Sequence, residues 1–279
     1  MNASEFDKSN IDYLVKKSSS LRLRILSAAY SAKGGHIGGA FSILDILTYM
    51  YEHILKIDSR NPLMHDRDRL ILSKGHSCLA LYACLESYGF IESDELMTFL
   101  KTDSRLPGHS EHFHIPAIEI TTGSLGHGIG VAAGIALAEK FLNSNYWTFC
   151  ILGDGECNEG SVWETLMFIR QHNLNKLITL IDFNKQESLD LTEKILSVEP
   201  LLDKIEAFGL NAIQINGHSF IEIDRAFKEA KQSKKPSVII AHTIKGKGVD
   251  FMEGVTKWHY RAPTTEEFES ATLQLSSDK

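Results

Sequence analysis

A chain of 279 residues, 43% hydrophobic and 23% charged, is long enough to bury one substantial core. Its formal net charge of −7 argues against a general binder of nucleic acid or anionic membrane, but leaves small phosphorylated ligands open, because local His, Lys and helix N-termini can oppose the global sign. Cys78, Cys84, Cys150 and Cys157 show no CxxC spacing, the start MNASEFDKSN lacks the basic-then-apolar pattern of a signal peptide, and no apolar run approaches membrane-spanning length. These features predict a reduced, cytoplasmic protein.

In chain order, residues 10–31 read as a helix with Ile11, Leu14, Leu21, Leu23, Ile25 and Leu26 as its apolar positions. Lys33 to Gly39 follows as a glycine-rich loop around His36, leading to a helix from about Ser42 to Ile54. On that segment alone, a flexible connector explains the pattern as well as a ligand loop does. Arg67 to Leu72 reads as a strand ending in Ser73-Lys74-Gly75-His76, with a helix from Ser77 to Tyr88. The segment holding His109, His112 and His114 reads as a loop; without a Cys pair or HExxH, a structural zinc site is the weaker reading. Thr121 to Gly128 is a second glycine run, ahead of a helix from Val131 to Phe141, and it lacks the strand, GxGxxG, helix and acidic order of a dinucleotide fingerprint.

The centre of the chain carries the strongest signal. Tyr146 to Leu152 reads as a strand ending in Gly153-Asp154-Gly155, Glu159 to His172 as a helix with Val162, Trp163, Leu166 and Met167 on its buried face, and Leu177 to Ile181 as a strand ending in Asp182-Phe183-Asn184. Strand, turn, helix, strand puts both polar turns at one edge of a parallel sheet, where α/β proteins bind ligands. Glycines flanking Asp154 let backbone N–H groups approach phosphate oxygens. Asp154, Asn184 and a backbone carbonyl near Gln186 form an oxygen set suited to Mg²⁺ (or another divalent cation such as Ca²⁺). A lone GDG is more simply a tight turn; Asn184, about thirty residues later at the matching strand end, favours a site. Further on, Leu201–Phe208 and Phe220–Lys231 read as helices, and Ala212–Ile215 and Ser237–Ala241 as strands, the last running into the basic loop around Lys245. The fold class is therefore α/β, a mostly parallel central sheet with helices on both faces, in a single domain over 1–279.

GDG followed by Asn resembles the thiamine diphosphate fingerprint, and GDGECNEGSVWE with AHTIKGKGVDFMEG and KWH resembles the transketolase family, in particular the amino-terminal half of two-chain transketolases, from about residue 12 to about 270. The resemblance implies thiamine diphosphate as cofactor and transfer of a two-carbon ketol unit from a ketose phosphate to an aldose, the cofactor supplying the carbanion chemistry. Carried over residue by residue, it implies metal ligands Asp154, Asn184 and Gln186, and cofactor contacts from Gly155, His76, Lys245 and His259 together with the loop at Gly123 and Leu125. His36, His76, His109 and His259 would surround the reacting oxygens and shuttle protons near neutral pH. Glu159 and Glu164 match acidic positions near the family's subunit interface. His127 stands where many relatives carry Gln, and Tyr260 where the family frequently has Gly. The resemblance further implies that the pyrimidine-binding and carboxyl-terminal domains belong to a separately encoded partner, giving a dimer of heterodimers acting on sugar phosphates. The rival readings are the α-subunit of a 2-oxo-acid dehydrogenase and a non-catalytic cofactor- or sugar-phosphate-binding module.

Overall fold

A computed structural model describes residues 7–277; the first six residues of the polar start lie outside the described residues. The described elements are α1 (Lys8–Ala32), α2 (Ile37–Tyr49), β1 (Arg69–Leu72), α3 (Cys78–Ser87), α4 (Gly128–Phe141), β2 (Thr148–Gly153), α5 (Gly160–Gln171), β3 (Leu177–Phe183), α6 (Thr192–Ile195), α7 (Leu201–Ala207), β4 (Asn211–Asn216), α8 (Phe220–Gln232), β5 (Ser237–His242) and α9 (Thr265–Ser277). The strands form one sheet in the order β1-β2-β3-β5-β4, and every pairing is parallel. Parallel strands need covered faces, and the strand sequences supply two apolar ones by alternation. Phe149, Ile151, Ile178, Leu180 and Ile239 face a core shared with α1, α2, α3 and α8, while Cys150, Leu152, Leu177, Ile181, Val238 and Ile240 face one shared with α4, α5 and α7. This is the expected α/β sheet with helices on both faces.

Three expectations need correction. The glycine-rich segment does not stay a loop up to Ser42: α2 begins at Ile37 and every residue of it is buried. Gly38 and Gly39 belong to its first turn because nothing larger fits there; a Cβ would lie 2.8 Å from the Trp258 carbonyl oxygen at Gly38 and 2.9 Å from Ser77 Oγ at Gly39. Close packing, and not loop flexibility, accounts for these glycines. Met167 does not share the buried face of α5: Val162, Leu166 and Ile169 are buried, whereas Met167 is 51% exposed and Trp163 half-buried. Spacing of four then three residues keeps 162, 166 and 169 on one stripe, and residue 167 lies about 100° further round. Finally, Asp182 lies within β3 and not in a turn, paired in register with Gly153 and Ala241.

Candidate active site

Because the strands are parallel, their carboxyl ends share one edge, and the segments leaving β1, β2, β3 and β5 converge there. They line a cavity of about 260 Å³, together with the start of α2 and the loop before α4. His36, His76, His109, Gly123, Leu125, Asp154, Gly155, Asn184, Gln186, Lys245 and His259 all border it. The segments expected to carry the site therefore meet, although they span more than two hundred residues of sequence. His127 and Tyr260 do not line the cavity; Glu159 and Glu164 lie on the exposed surface of α5 and its cap.

The imidazoles form a cluster. The ring of His36 lies 5.3 Å from that of His76, 5.7 Å from His109 and 5.1 Å from His259, and His76 and His259 are 5.6 Å apart. The Tyr260 ring meets that of His36 edge-on, with centroids 4.7 Å apart. Lys245 Nζ donates to His259 Nδ1 at 3.0 Å and to the carbonyls of Gln186 and Glu187 at 3.2 and 3.0 Å. Burial first, and then neighbouring positive charge, pushes His36 down to about 3 and His259 down to about 4, with His76 well below its ordinary value. The same two causes lower Lys245 to about 8. The protonated forms of these three imidazoles are therefore disfavoured near neutral pH. The rings are neutral, each able both to donate and to accept a hydrogen bond.

Two buried acidic residues absent from the expected set support the cavity, Glu156 in its wall and Asp182 behind the Lys74 and Asn184 that line it. Asp182, fully buried, receives hydrogen bonds from Lys74, from Ser42 Oγ at 2.6 Å, from Asn184 Nδ2 at 3.2 Å and from Thr243. Burial opposes its ionisation, but the Lys74 ammonium and these donors outweigh it and hold the carboxyl below the usual range. Glu156 accepts from Ser73 Oγ, from the Gly126 N–H at 2.8 Å and from the Gly153 N–H at 3.1 Å, tying the end of β1, the glycine loop and the end of β2 together. One carboxylate thus fixes three walls of the cavity. A lone Asp in the apolar run LITLIDF was the available signal for Asp182; Glu156 had none beyond its place after GDG.

The oxygen set is consistent with a hard cation beside an anion. Asp154 Oδ1 accepts from the Gly155 N–H at 2.9 Å and Oδ2 from the Lys185 N–H at 2.5 Å, while Asn184 Oδ1 accepts from the Gln186 N–H at 3.0 Å. Burial and the nearby Asp182 carboxylate raise Asp154 to about 6, so an adjacent divalent cation would relieve an ionisation this fold otherwise disfavours. Gln186 Oε1 is buried without a hydrogen-bond partner on the cavity wall. A side chain at Gly155 would lie 2.7 Å from Glu187 Cγ, which keeps that backbone bare toward the cavity. Two cationic lysines in a net-negative protein complete a pocket suited to a diphosphate–metal group.

A parallel α/β sheet whose carboxyl edge gathers GDG, Asn184 and a histidine cluster is the arrangement of a thiamine diphosphate enzyme. Residues 15–278 match the family model described as "Transketolase, thiamine diphosphate binding domain", and the chain belongs to that family. It is 40% identical over 267 residues to one of the subunits of the apulose-4-phosphate transketolase of Phocaeicola vulgatus, covering 95% of both chains. It is 40% identical over 245 residues to a 6-deoxy-6-sulfo-D-fructose transketolase subunit of Clostridium sp., covering 88% of this chain and 89% of that one. The crystal structure of Campylobacter jejuni transketolase superimposes with a TM-score of 0.88 at 32% identity, covering 95% of this chain. The chain spans 43% of that enzyme's length and 40% of human transketolase, to which it is 34% identical over 257 residues.

Proposed function

We propose that this chain is the diphosphate- and metal-binding half of a two-chain transketolase, moving a two-carbon ketol unit from a ketose phosphate to an aldose phosphate when joined to a separately encoded pyrimidine-binding subunit. The observation that carries this reading is the gathering of His36, His76, His109 and His259 in one cavity with Asp154 and Asn184. Its support is the subunit length of the two relatives above, which this chain matches nearly end to end.

Thiamine diphosphate, when bound, supplies an electron sink that lets a carbon beside a carbonyl carry negative charge. Asp154, Asn184 and the Gln186 carbonyl are proposed to hold Mg²⁺, with the Gly155 backbone, His76, Lys245 and His259 on the diphosphate side and the Gly123 and Leu125 backbone toward the ring. The four imidazoles would hydrogen-bond the sugar oxygens and pass protons among them. Glu159 and Glu164 would face an interface; Met167 and Phe168 beside them on α5, and Val131 and Phe141 on α4, are apolar and exposed as an interface requires. A dimer of heterodimers is the assembly this predicts. Cytoplasmic location is part of the same reading, supported by four buried free cysteines; no helix among the described residues is long and apolar enough to cross a membrane.

The test is ketol transfer with thiamine diphosphate and Mg²⁺, by this chain alone and mixed with a candidate partner chain. Xylulose 5-phosphate with ribose 5-phosphate is the first pair; the sugars named for the two relatives follow. Turnover only in the mixture is expected. Full turnover by the chain alone would overturn the half-enzyme reading, and pyruvate oxidation with an artificial electron acceptor would favour a 2-oxo-acid dehydrogenase instead.

A further inference from the structure

Away from the cavity, a polar relay links two helices, α1 and α2, and the turn between β4 and α8 to the loop that carries Lys245. Arg22 on α1 grips Asp45 on α2 through two hydrogen bonds, 2.9 and 2.8 Å, and also donates to the Phe41 carbonyl at 3.2 Å. Both side chains are buried. Asp45 Oδ2 lies 2.7 Å from Nδ1 of His218, in the turn between β4 and α8, and His218 Nε2 lies 2.9 Å from the backbone nitrogen of Ile244. A backbone N–H only donates, so Nε2 must be the acceptor, and the ring proton must sit on Nδ1, pointing at Asp45. The tautomer is thus fixed by its two partners. The His218 backbone N–H in turn bonds Asn216 Oδ1 at 3.0 Å, which holds the ring's own segment in place.

Ile244 immediately precedes Lys245, the ammonium that reaches His259 and the carbonyls of Gln186 and Glu187. Two further bonds pin the loop on either side: the Gly246 N–H to the Gly38 carbonyl at 3.0 Å, and the Gly254 N–H to the Lys245 carbonyl at 2.9 Å. Of the bonds at this loop, the one to Ile244 is made by a titratable side chain that is itself oriented by a buried ion pair. We propose that His218, held in its Nδ1-protonated tautomer by Asp45, is a positioning residue that sets the placement of Lys245 in the cavity through the Ile244 amide. It touches neither the cavity nor any group expected there. The placement of the loop stands on the structure alone; its consequence for cofactor binding rests on the function proposed above.

Three measurements on the full-length chain test it. Hydrogen exchange of the Ile244 amide in His218→Phe, which fills the space without an acceptor, should be about tenfold faster than in wild type. His218→Gln, whose amide oxygen can take the place of Nε2, should restore most of that protection. Nitrogen-15 NMR of the His218 ring should show the Nδ1–H tautomer. With thiamine diphosphate and Mg²⁺ as the titrated probe, His218→Phe should bind about fivefold to tenfold more weakly, again with recovery in the Gln variant. Unchanged Ile244 exchange in His218→Phe, the opposite tautomer, or equal loss in both variants would overturn the proposal. If the exchange and tautomer results hold while wild type fails to bind the probe both alone and mixed with the partner chain, the cofactor reading fails and the positioning role stands.

Discussion

Asp154→Asn should make the metal-free chain more stable at neutral pH while destroying its response to metal. The carboxyl is only 2% exposed, and burial, followed by the like charge of Asp182, raises it from 3.8 to about 6. A shift of about two units corresponds to about 3 kcal/mol at 1.36 kcal/mol per unit. Because the folded-state value lies above the unfolded one, the protonated group favours the fold below pH 4, and that advantage is lost as the pH rises through about 6. Above that window, folding must hold an ionised carboxylate where it is disfavoured. The Asn amide removes the charge, keeps one acceptor for the Gly155 or Lys185 N–H, and turns an NH₂ toward the other, a mismatch costing about 1 kcal/mol. The expected net gain at pH 7.5 in EDTA is about 2 kcal/mol, or about 4–8 °C in Tm for a domain of this size. At pH 4.5 the gain should shrink toward zero. Mg²⁺ with thiamine diphosphate should then raise the wild-type Tm and leave the variant's unmoved. A variant no more stable than wild type at pH 7.5 in EDTA would refute the electrostatic reasoning.

Lys74→Met should cost about 3–5 kcal/mol in urea unfolding, because it leaves the Asp182 carboxylate buried without its countercharge. Pairing it with Asp182→Leu should recover most of that loss, whereas two additive losses would contradict the pairing. Gly126→Ala should lose about 1–3 kcal/mol, since φ is +77° there and a Cβ would meet the Glu159 Cβ at 2.6 Å; a Tm equal to wild type would mean that the loop yields freely. Tyr260→Gly should leave Tm nearly unchanged, because the side chain is 56% exposed, yet it removes the ring packed edge-on against His36. Its effect is expected in the KM for the sugar more than in kcat, and KM values equal to wild type for every sugar tried would mean that the Tyr260 contact with His36 plays no part in sugar binding.

The sheet was legible because most of its strands are short, continuous apolar runs, and their ends fell within about two residues of their observed positions. Asp154, Asn184 and His76 were legible because polar residues just beyond the carboxyl ends of parallel strands have one place to go, whereas His36, His109 and His259 follow no strand and were legible only through the family resemblance. What stayed hidden was set by contacts between distant segments. Nothing local marks Gly38 and Gly39 as helical; the Trp258 carbonyl and Ser77 Oγ press on them from elsewhere. Asp182 read as a turn residue because a carboxylate inside a central strand is intelligible only once Lys74 is seen beneath it. The same holds for His218, an unremarked residue in a polar turn until Asp45 and Ile244 give each ring nitrogen a defined partner.

The histidine chemistry depends on the same long-range assembly. Residue type alone gives an imidazole that titrates near neutrality; the folded cavity gives His36 near 3 and His259 near 4, because burial and the surrounding positive charge disfavour further protonation. Lys74 and Lys245 contribute to both shifts. Burial is the larger cause in each, and the neighbouring positive charge adds to it. On that account, Lys245→Met should raise the NMR-measured pKa of His259 in the ligand-free chain, since it removes the cation 3.0 Å from Nδ1. An unchanged His259 would mean that burial alone sets its neutrality.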